Sequence, residues 1–353
     1  MKRSLLTGVA YHGNRMPSHV KTDLEKIAKA DMDIVVHMLS HTDWERHGTV
    51  MKDIFKMTED AGLEVWVDNW GLGGIPGDTS HFLCYHPECH VIYSNGEMHP
   101  KLVCPNQPAY RSFVKDWLDA VRDMGGKAIF WDEPALPQKP LDKEGKERVY
   151  TCACPVCRKK FEEKYGRPMP TLVGDPATDE FAKDTIIDFF RDVSDHAASL
   201  GMKNIICFVN RYFNPEHRAL LDGICALPHM DNIGTDPYWC GSKPVLQNPY
   251  EFVYGSTKRM LETVNAAGKE HNLWIQGYNI PAGREEEIVW ATEAAYDAGA
   301  RTVLSWSFMG GESNTYRAGN PERCWEATVA GMRRIRNMER DRVLAEHRAL
   351  YRK

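Results

Sequence analysis

The 353-residue chain has no uninterrupted apolar run of the roughly 18 residues a membrane-spanning helix needs. It also lacks a basic excess. Its 44 Lys and Arg against 49 Asp and Glu leave a formal net charge of −5, which argues against a nucleic-acid or anionic-membrane partner. No linker, low-complexity tract or repeat longer than a strand-helix unit interrupts it. The basic start Lys2-Arg3 is not followed by the apolar stretch of a signal peptide, because the run from Leu5 breaks at Tyr11-His12-Gly13-Asn14-Arg15. That start is expected to be a first strand, and the protein cytoplasmic. In a reducing compartment its ten cysteines are expected to be thiols or metal ligands, not disulfides.

Short apolar runs alternate with longer segments of helical period, the pattern of a parallel α/β protein. Eight runs read as strands: Leu5–Tyr11, Ile34–Leu39, Glu64–Asn69, Lys127–Trp131, Asn204–Val209, Asn232–Thr235, Leu273–Gln276 and Thr302–Ser307. Helical segments include His19–Lys29, Thr49–Ala61, Ala109–Met124, Asp179–Ser199, Pro249–Ala267 and Glu285–Ala298, several closed by a Gly as helix ends prefer. Eight such units in one chain predict a closed (β/α)8 TIM barrel over residues 1–335. Residues 336–353 are expected to form a charged helical tail, solvated or used in homo-oligomer formation. Two connections are long, Gly71–Pro108 and Pro134–Thr178, and both follow strands, on the barrel face where active sites are built.

Cys152-Ala153-Cys154-Pro155-Val156-Cys157 supplies three of the four soft ligands of a tetrahedral zinc. Cys104 is the first candidate for the fourth, with Cys84, Cys89, His86 and His90 behind it. A closed four-ligand site would be structural, stapling the two long loops together. The fourth predicted strand ends in Trp131-Asp132-Glu133-Pro134. Two carboxylates at the end of a buried strand are expensive unless used or paired, and general acid catalysis, in which a carboxyl protonates a glycosidic oxygen, would be such a use. Other strand ends offer Asp68 and Trp70, Asp236 and Tyr238, Gln276, and Trp306 followed by Glu312, a polar and aromatic rim suited to a carbohydrate substrate.

At these residues the chain resembles family 42 glycoside hydrolases, retaining β-galactosidases of the clan A barrels. Cys104-Pro105-Asn106-Gln107-Pro108-Ala109-Tyr110-Arg111 is similar to that family's Cys-Pro-x-Ser-Pro-x-Tyr-Arg stretch. The C-x-C-x-x-C run has the family's spacing, and Phe161 to Gly166 resembles its F-x-x-x-YG ending. The resemblance implies zinc on Cys104, Cys152, Cys154 and Cys157, and the acid/base role for Glu133. Two residues depart from the pattern: Gln276 stands where the clan has its nucleophilic Glu, and Asp132 where it has Asn.

The expectation is therefore a glycoside hydrolase with Glu133 as acid, Asp132 and Asp236 as further catalytic carboxyls, and Asp68, Trp70, Tyr238, Gln276, Trp306 and Glu312 as substrate-binding residues. The base or nucleophile would be a non-standard second carboxylate, Asp236, Asp68 or Glu312, or else an N-acetyl group of the substrate would attack, oriented by Asp132. The alternative is a carbohydrate-binding barrel that has lost hydrolysis.

Overall fold

The computed structural model describes residues 3–12, 14–73, 80–134, 136, 151–171, 175–241 and 248–350. Parts of both long loops, residues 74–79 and most of 135–150, lie outside the described residues. The strands are β1 (Leu6–Tyr11), β2 (Ile34–Met38), β3 (Glu64–Asp68), β4 (His90–Ile92), β5 (Met98–Val103), β6 (Ala128–Asp132), β7 (Lys203–Phe208), β8 (Asn232–Thr235), β9 (Glu270–Gln276) and β10 (Thr302–Trp306). Eight of them close a parallel barrel in the order β1-β10-β9-β8-β7-β6-β3-β2, so all eight predicted strands are barrel strands. β4 and β5 form a separate antiparallel pair in the long connection after β3.

The helices are α1 (Pro17–Lys29), α2 (His41–Asp60), α3 (Phe82–Tyr85), α4 (Pro108–Asp123), α5 (Pro155–Tyr165), α6 (Pro176–Ser199), α7 (Ala219–Cys225), α8 (Pro249–Ala266), α9 (Glu286–Ala298) and α10 (Pro321–Leu350). α2 begins eight residues before the predicted start, at a capping box in which the Ser40 hydroxyl accepts the Asp43 N–H and the Asp43 carboxylate accepts the Ser40 N–H. The division expected at residue 335 falls inside α10, which runs through it unbroken. No described helix is long and apolar enough to cross a membrane.

Strand alternation sorts the core into two layers. Ala10, Ile34, Val36, Trp66, Phe130, Trp274 and Leu304 pack together inside the barrel. Their odd-numbered neighbours, such as Val9, Val35, Val67, Ile129, Trp131, Ile275 and Val303, belong to the layer beneath the helices. Gly234 completes the interior at β8: a Cβ there would collide with Asn272 Oδ1, so only glycine leaves room for that side chain. Asn272 Nδ2 donates to Asn232 Oδ1 at 2.7 Å, and Asn272 Oδ1 accepts Trp274 Nε1–H at 3.0 Å.

Candidate functional site

Alternation inside the barrel also selects the residues at its mouth. Two residues on from the interior positions named above stand His12, Met38, Asp68, Asp132, Asp236, Gln276 and Trp306. Five of them, all but Asp68 and Gln276, line one cavity of about 440 Å³. Trp70, Glu133, Tyr238, Tyr278 and Tyr316 line it too. Asp132 thus faces inward, and Glu133, one residue on, should face the helices. It does not, because Glu133 takes φ +40°, outside the strand range, with its N–H bonded to the Cys207 carbonyl at 3.0 Å. The left-handed turn brings two adjacent carboxyls into one cavity. Left-handed φ is costly for a non-glycine residue and is typically held where function requires it. Among the described residues, Glu133, Asn279 and Met309 adopt it at the ends of β6, β9 and β10, with Asp31 elsewhere.

The carboxyls differ in surroundings. Glu133 is exposed to the cleft, whereas Asp132 and Asp236 are only 8% and 9% accessible. Burial, reinforced by the charges of Glu133 and Asp132 and by a hydrogen bond with Glu133, holds the Asp236 carboxyl well above the usual range. Asp236 Oδ1 is buried with no partner among the described residues. Burial likewise raises Asp132, with the charges of Asp68 and Glu133 adding to it. Asp68 is fully buried behind the cavity, and burial pushes it up to about 8; its Oδ1 accepts the Trp70 N–H at 2.9 Å. Such a cluster cannot carry a full set of negative charges near neutral pH, so at least one proton is shared within it. His12 meets the Trp306 ring edge-on at 4.5 Å, and burial lowers it to about 4.

Three expected binding residues, Gln276, Glu312 and Asp68, do not line this cavity. Gln276 is fully buried and its amide is spent on backbone: Oε1 accepts the Cys240 N–H at 2.8 Å, and Nε2 donates to the Cys240 carbonyl at 2.8 Å and the Tyr278 carbonyl at 3.1 Å. It fixes the chain after β8, including Tyr238, and has no amide hydrogen left for a sugar. Glu312 lines a neighbouring cavity of about 460 Å³ with Tyr11, Asp23 and Lys26, which shares His12 with the first. Asp68 supports the cavity from behind without lining it. Met38 could have been found by counting two residues on from the interior positions. Tyr316, on a segment with no periodic signal, could not.

The four cysteines expected to bind metal meet. Cys104, Cys152, Cys154 and Cys157 are buried, with Sγ atoms within 4.8 Å of one another. Two of the separations, 3.4 Å for Cys104–Cys157 and 3.7 Å for Cys104–Cys154, sit near the edge of about 3.8 Å that four 2.3 Å metal–sulfur bonds give a tetrahedron. N–H groups of Ile92, Asn106 and Gln107 point at Cys152, Cys157 and Cys154 sulfurs at 3.4, 3.3 and 3.8 Å, an arrangement that favours thiolates. The donor set could therefore hold a metal such as zinc. It joins the end of β5 to the start of α5, and so connects the two long loops.

No family model matches the chain, and no curated protein matches it by sequence. Solved structures do share its fold. A β-galactosidase from Bacillus circulans sp. alkalophilus superposes with a TM-score of 0.62 at 14% identity, covering 92% of this chain and 55% of that one. The chain thus spans about half the length of that enzyme. The PgaB (BpsB) glycoside hydrolase domain from Bordetella bronchiseptica gives 0.59 at 10% identity over 86% and 94% of the two chains. A D-allulose 3-epimerase from Methylomonas sp. gives 0.51 at 11% identity over 94% and 98%. The chain is a (β/α)8 barrel. At these identities the likeness extends to fold alone, and hydrolases and an epimerase share it.

Proposed function

We propose that this barrel is a glycoside hydrolase in which Glu133 protonates the leaving oxygen. The observation that carries the reading is the convergence of Asp132, Glu133 and Asp236 on one cavity walled by Trp70, Trp306, Tyr238 and Tyr278. Flat rings suit the apolar faces of a sugar, and carboxyls in unlike surroundings suit acid-base work. Asp236, the more buried, keeps the proton at rest; Glu133, exposed to the cleft, passes it on to the glycosidic oxygen.

With Gln276 committed to backbone, the end of β9 offers no nucleophile. We assign the nucleophile's part to the substrate: an N-acetyl carbonyl oxygen, oriented by Asp132, bonds to the anomeric carbon as the protonated leaving group departs. Water then attacks that carbon and reopens the ring, giving its proton to the Glu133 carboxylate. The class is thus an N-acetylated glycoside. We assign zinc to the four cysteines, where Cys104, Cys152, Cys154 and Cys157 would hold it as a structural tie outside the reaction.

The test is a panel of nitrophenyl glycosides, N-acetylated and not, run on the wild type and Glu133→Gln. Turnover confined to N-acetylated members supports the full reading. Equal turnover of both kinds removes the acetyl group from the mechanism but leaves Glu133. A second reading, a sugar-binding barrel without hydrolysis, is favoured by Gln276 alone; saturable sugar binding with no turnover of any panel member would establish it.

A further inference from the structure

Away from this cavity, on the same barrel face, a second set of metal-ligating side chains meets. His41 and Glu45 stand one turn apart at the start of α2 and so share a helix face. His81 comes from the residue before α3, in the connection after β3. Glu45 Oε1 lies 3.2 Å from His41 Nε2, and Oε2 lies 2.9 Å from His81 Nε2. One ligand atom from each of the three lies within 4.8 Å of the others.

The surroundings of His41 favour a ligand there. Its Nδ1 is 2.8 Å from Ser80 Oγ, which also accepts the Phe82 N–H at 3.1 Å. In the tautomer with its proton on Nδ1, His41 donates to Ser80 Oγ and turns the Nε2 lone pair toward the Glu45 oxygen, a placement that suits a bridging cation; in the other tautomer Nε2–H donates to Glu45 directly. A ring nitrogen anchored to a neighbouring oxygen while the other faces the ligand position is the usual outer support of metal-bound histidine.

We propose that His41, Glu45 and His81 form a second metal site that takes a borderline divalent ion such as Zn2+, Ni2+ or Co2+. Two imidazoles and one carboxylate select such ions over Mg2+ or Ca2+, which prefer all-oxygen shells. Bonds of about 2.0–2.1 Å at tetrahedral angles separate ligand atoms by about 3.3 Å, close to the His41–Glu45 spacing. The two rings stack at 3.6 Å and 9°, so one must tilt for both lone pairs to reach one ion. The His81 side chain, 32% exposed, has room to do so. Three protein ligands leave a position open to solvent, since the Glu45 side chain is 48% exposed. The bound ion would also anchor the segment beside the sugar cavity, because the His41 N–H bonds the Gly71 carbonyl at 3.2 Å, next to Trp70.

Cobalt titration of the full-length protein separates this site from the cysteines by colour. Four thiolates give intense sulfur-to-cobalt charge-transfer absorption, whereas an N2O site gives only weak visible bands. Calorimetry with Ni2+ should then show one further equivalent in the wild type. Glu45→Gln and His81→Gln should each weaken it roughly tenfold or more, since even outer-shell partners of a metal are worth that much. Glu45 is exposed and His81 partly so, and circular dichroism checks that the variants fold. Absence of the further equivalent, or its persistence at wild-type affinity in both variants, overturns the proposal and leaves a hydrogen-bonded triad only.

Discussion

Replacing Gln276 with glutamate restores the residue type that the resembling clan uses as nucleophile, yet the structure forecasts damage. Nε2 donates to two carbonyls, of Cys240 and Tyr278, in a fully buried position. In the Gln276→Glu variant a protonated carboxyl can donate to only one of them while its other oxygen keeps the Cys240 N–H. One buried carbonyl is left facing oxygen, worth about 1–3 kcal/mol. An ionised side chain loses both donations and adds buried charge, so the total rises to roughly 3–5 kcal/mol before the group prefers to hold a proton. The introduced carboxyl therefore has a folded pKa above its unfolded value of about 4.3. By linkage, its penalty is smallest below about pH 4 and grows as pH rises, by about 1.4 kcal/mol per unit, until the folded pKa is passed. Urea denaturation of wild type and variant at pH 4, 5.5 and 7 measures this directly, with nitrophenyl glycoside assays alongside. A variant as stable as wild type at pH 7 that also gains hydrolysis would refute the reasoning, because Gln276 would then be a lapsed nucleophile and not a backbone brace.

Glu133→Gln should abolish hydrolysis of glycosides with poor leaving groups and spare activated aryl glycosides more, as steady-state kinetics on the two classes will show; equal losses would remove it from the acid role. Asp68→Asn keeps the acceptor for the Trp70 N–H but removes a carboxyl held at about 8. Because that folded pKa lies above the unfolded one, wild-type stability from this group is present below about pH 4 and lost as pH rises toward 8, so the variant should gain on wild type over that window in thermal melts. A constant difference across pH would show that Asp68 is ionised throughout. Cys154→Ser should lower bound zinc from about one per chain, by elemental analysis, and lower the melting temperature; a metal-free protein that melts like wild type would end the structural role.

Much of this was legible in the sequence, and the limits of legibility have particular causes. All eight barrel strands could be read, because each is an apolar run flanked by helical period and turn residues, patterns set by local geometry. The β4–β5 pair could not: Met98–Val103 is largely exposed and has no apolar alternation, so its pairing carries no signal along the chain. The cysteine spacing predicted a metal-binding group because its three ligands are local, and it left the fourth open because Cys104 arrives from another loop. The sequence also brought Asp132 and Glu133 to one strand end, but strand parity alone assigns neighbours to opposite faces. Only the left-handed turn at Glu133, which has no glycine to announce it, puts both into one cavity. Gln276 shows the same division. Its place at the end of β9 follows from periodicity, whereas its work is decided by Cys240, 36 residues away, whose backbone groups use up its amide. Local pattern determines where a side chain sits along a strand; what it bonds to depends on which distant segments the closed barrel brings beside it, and that is a property of the tertiary structure.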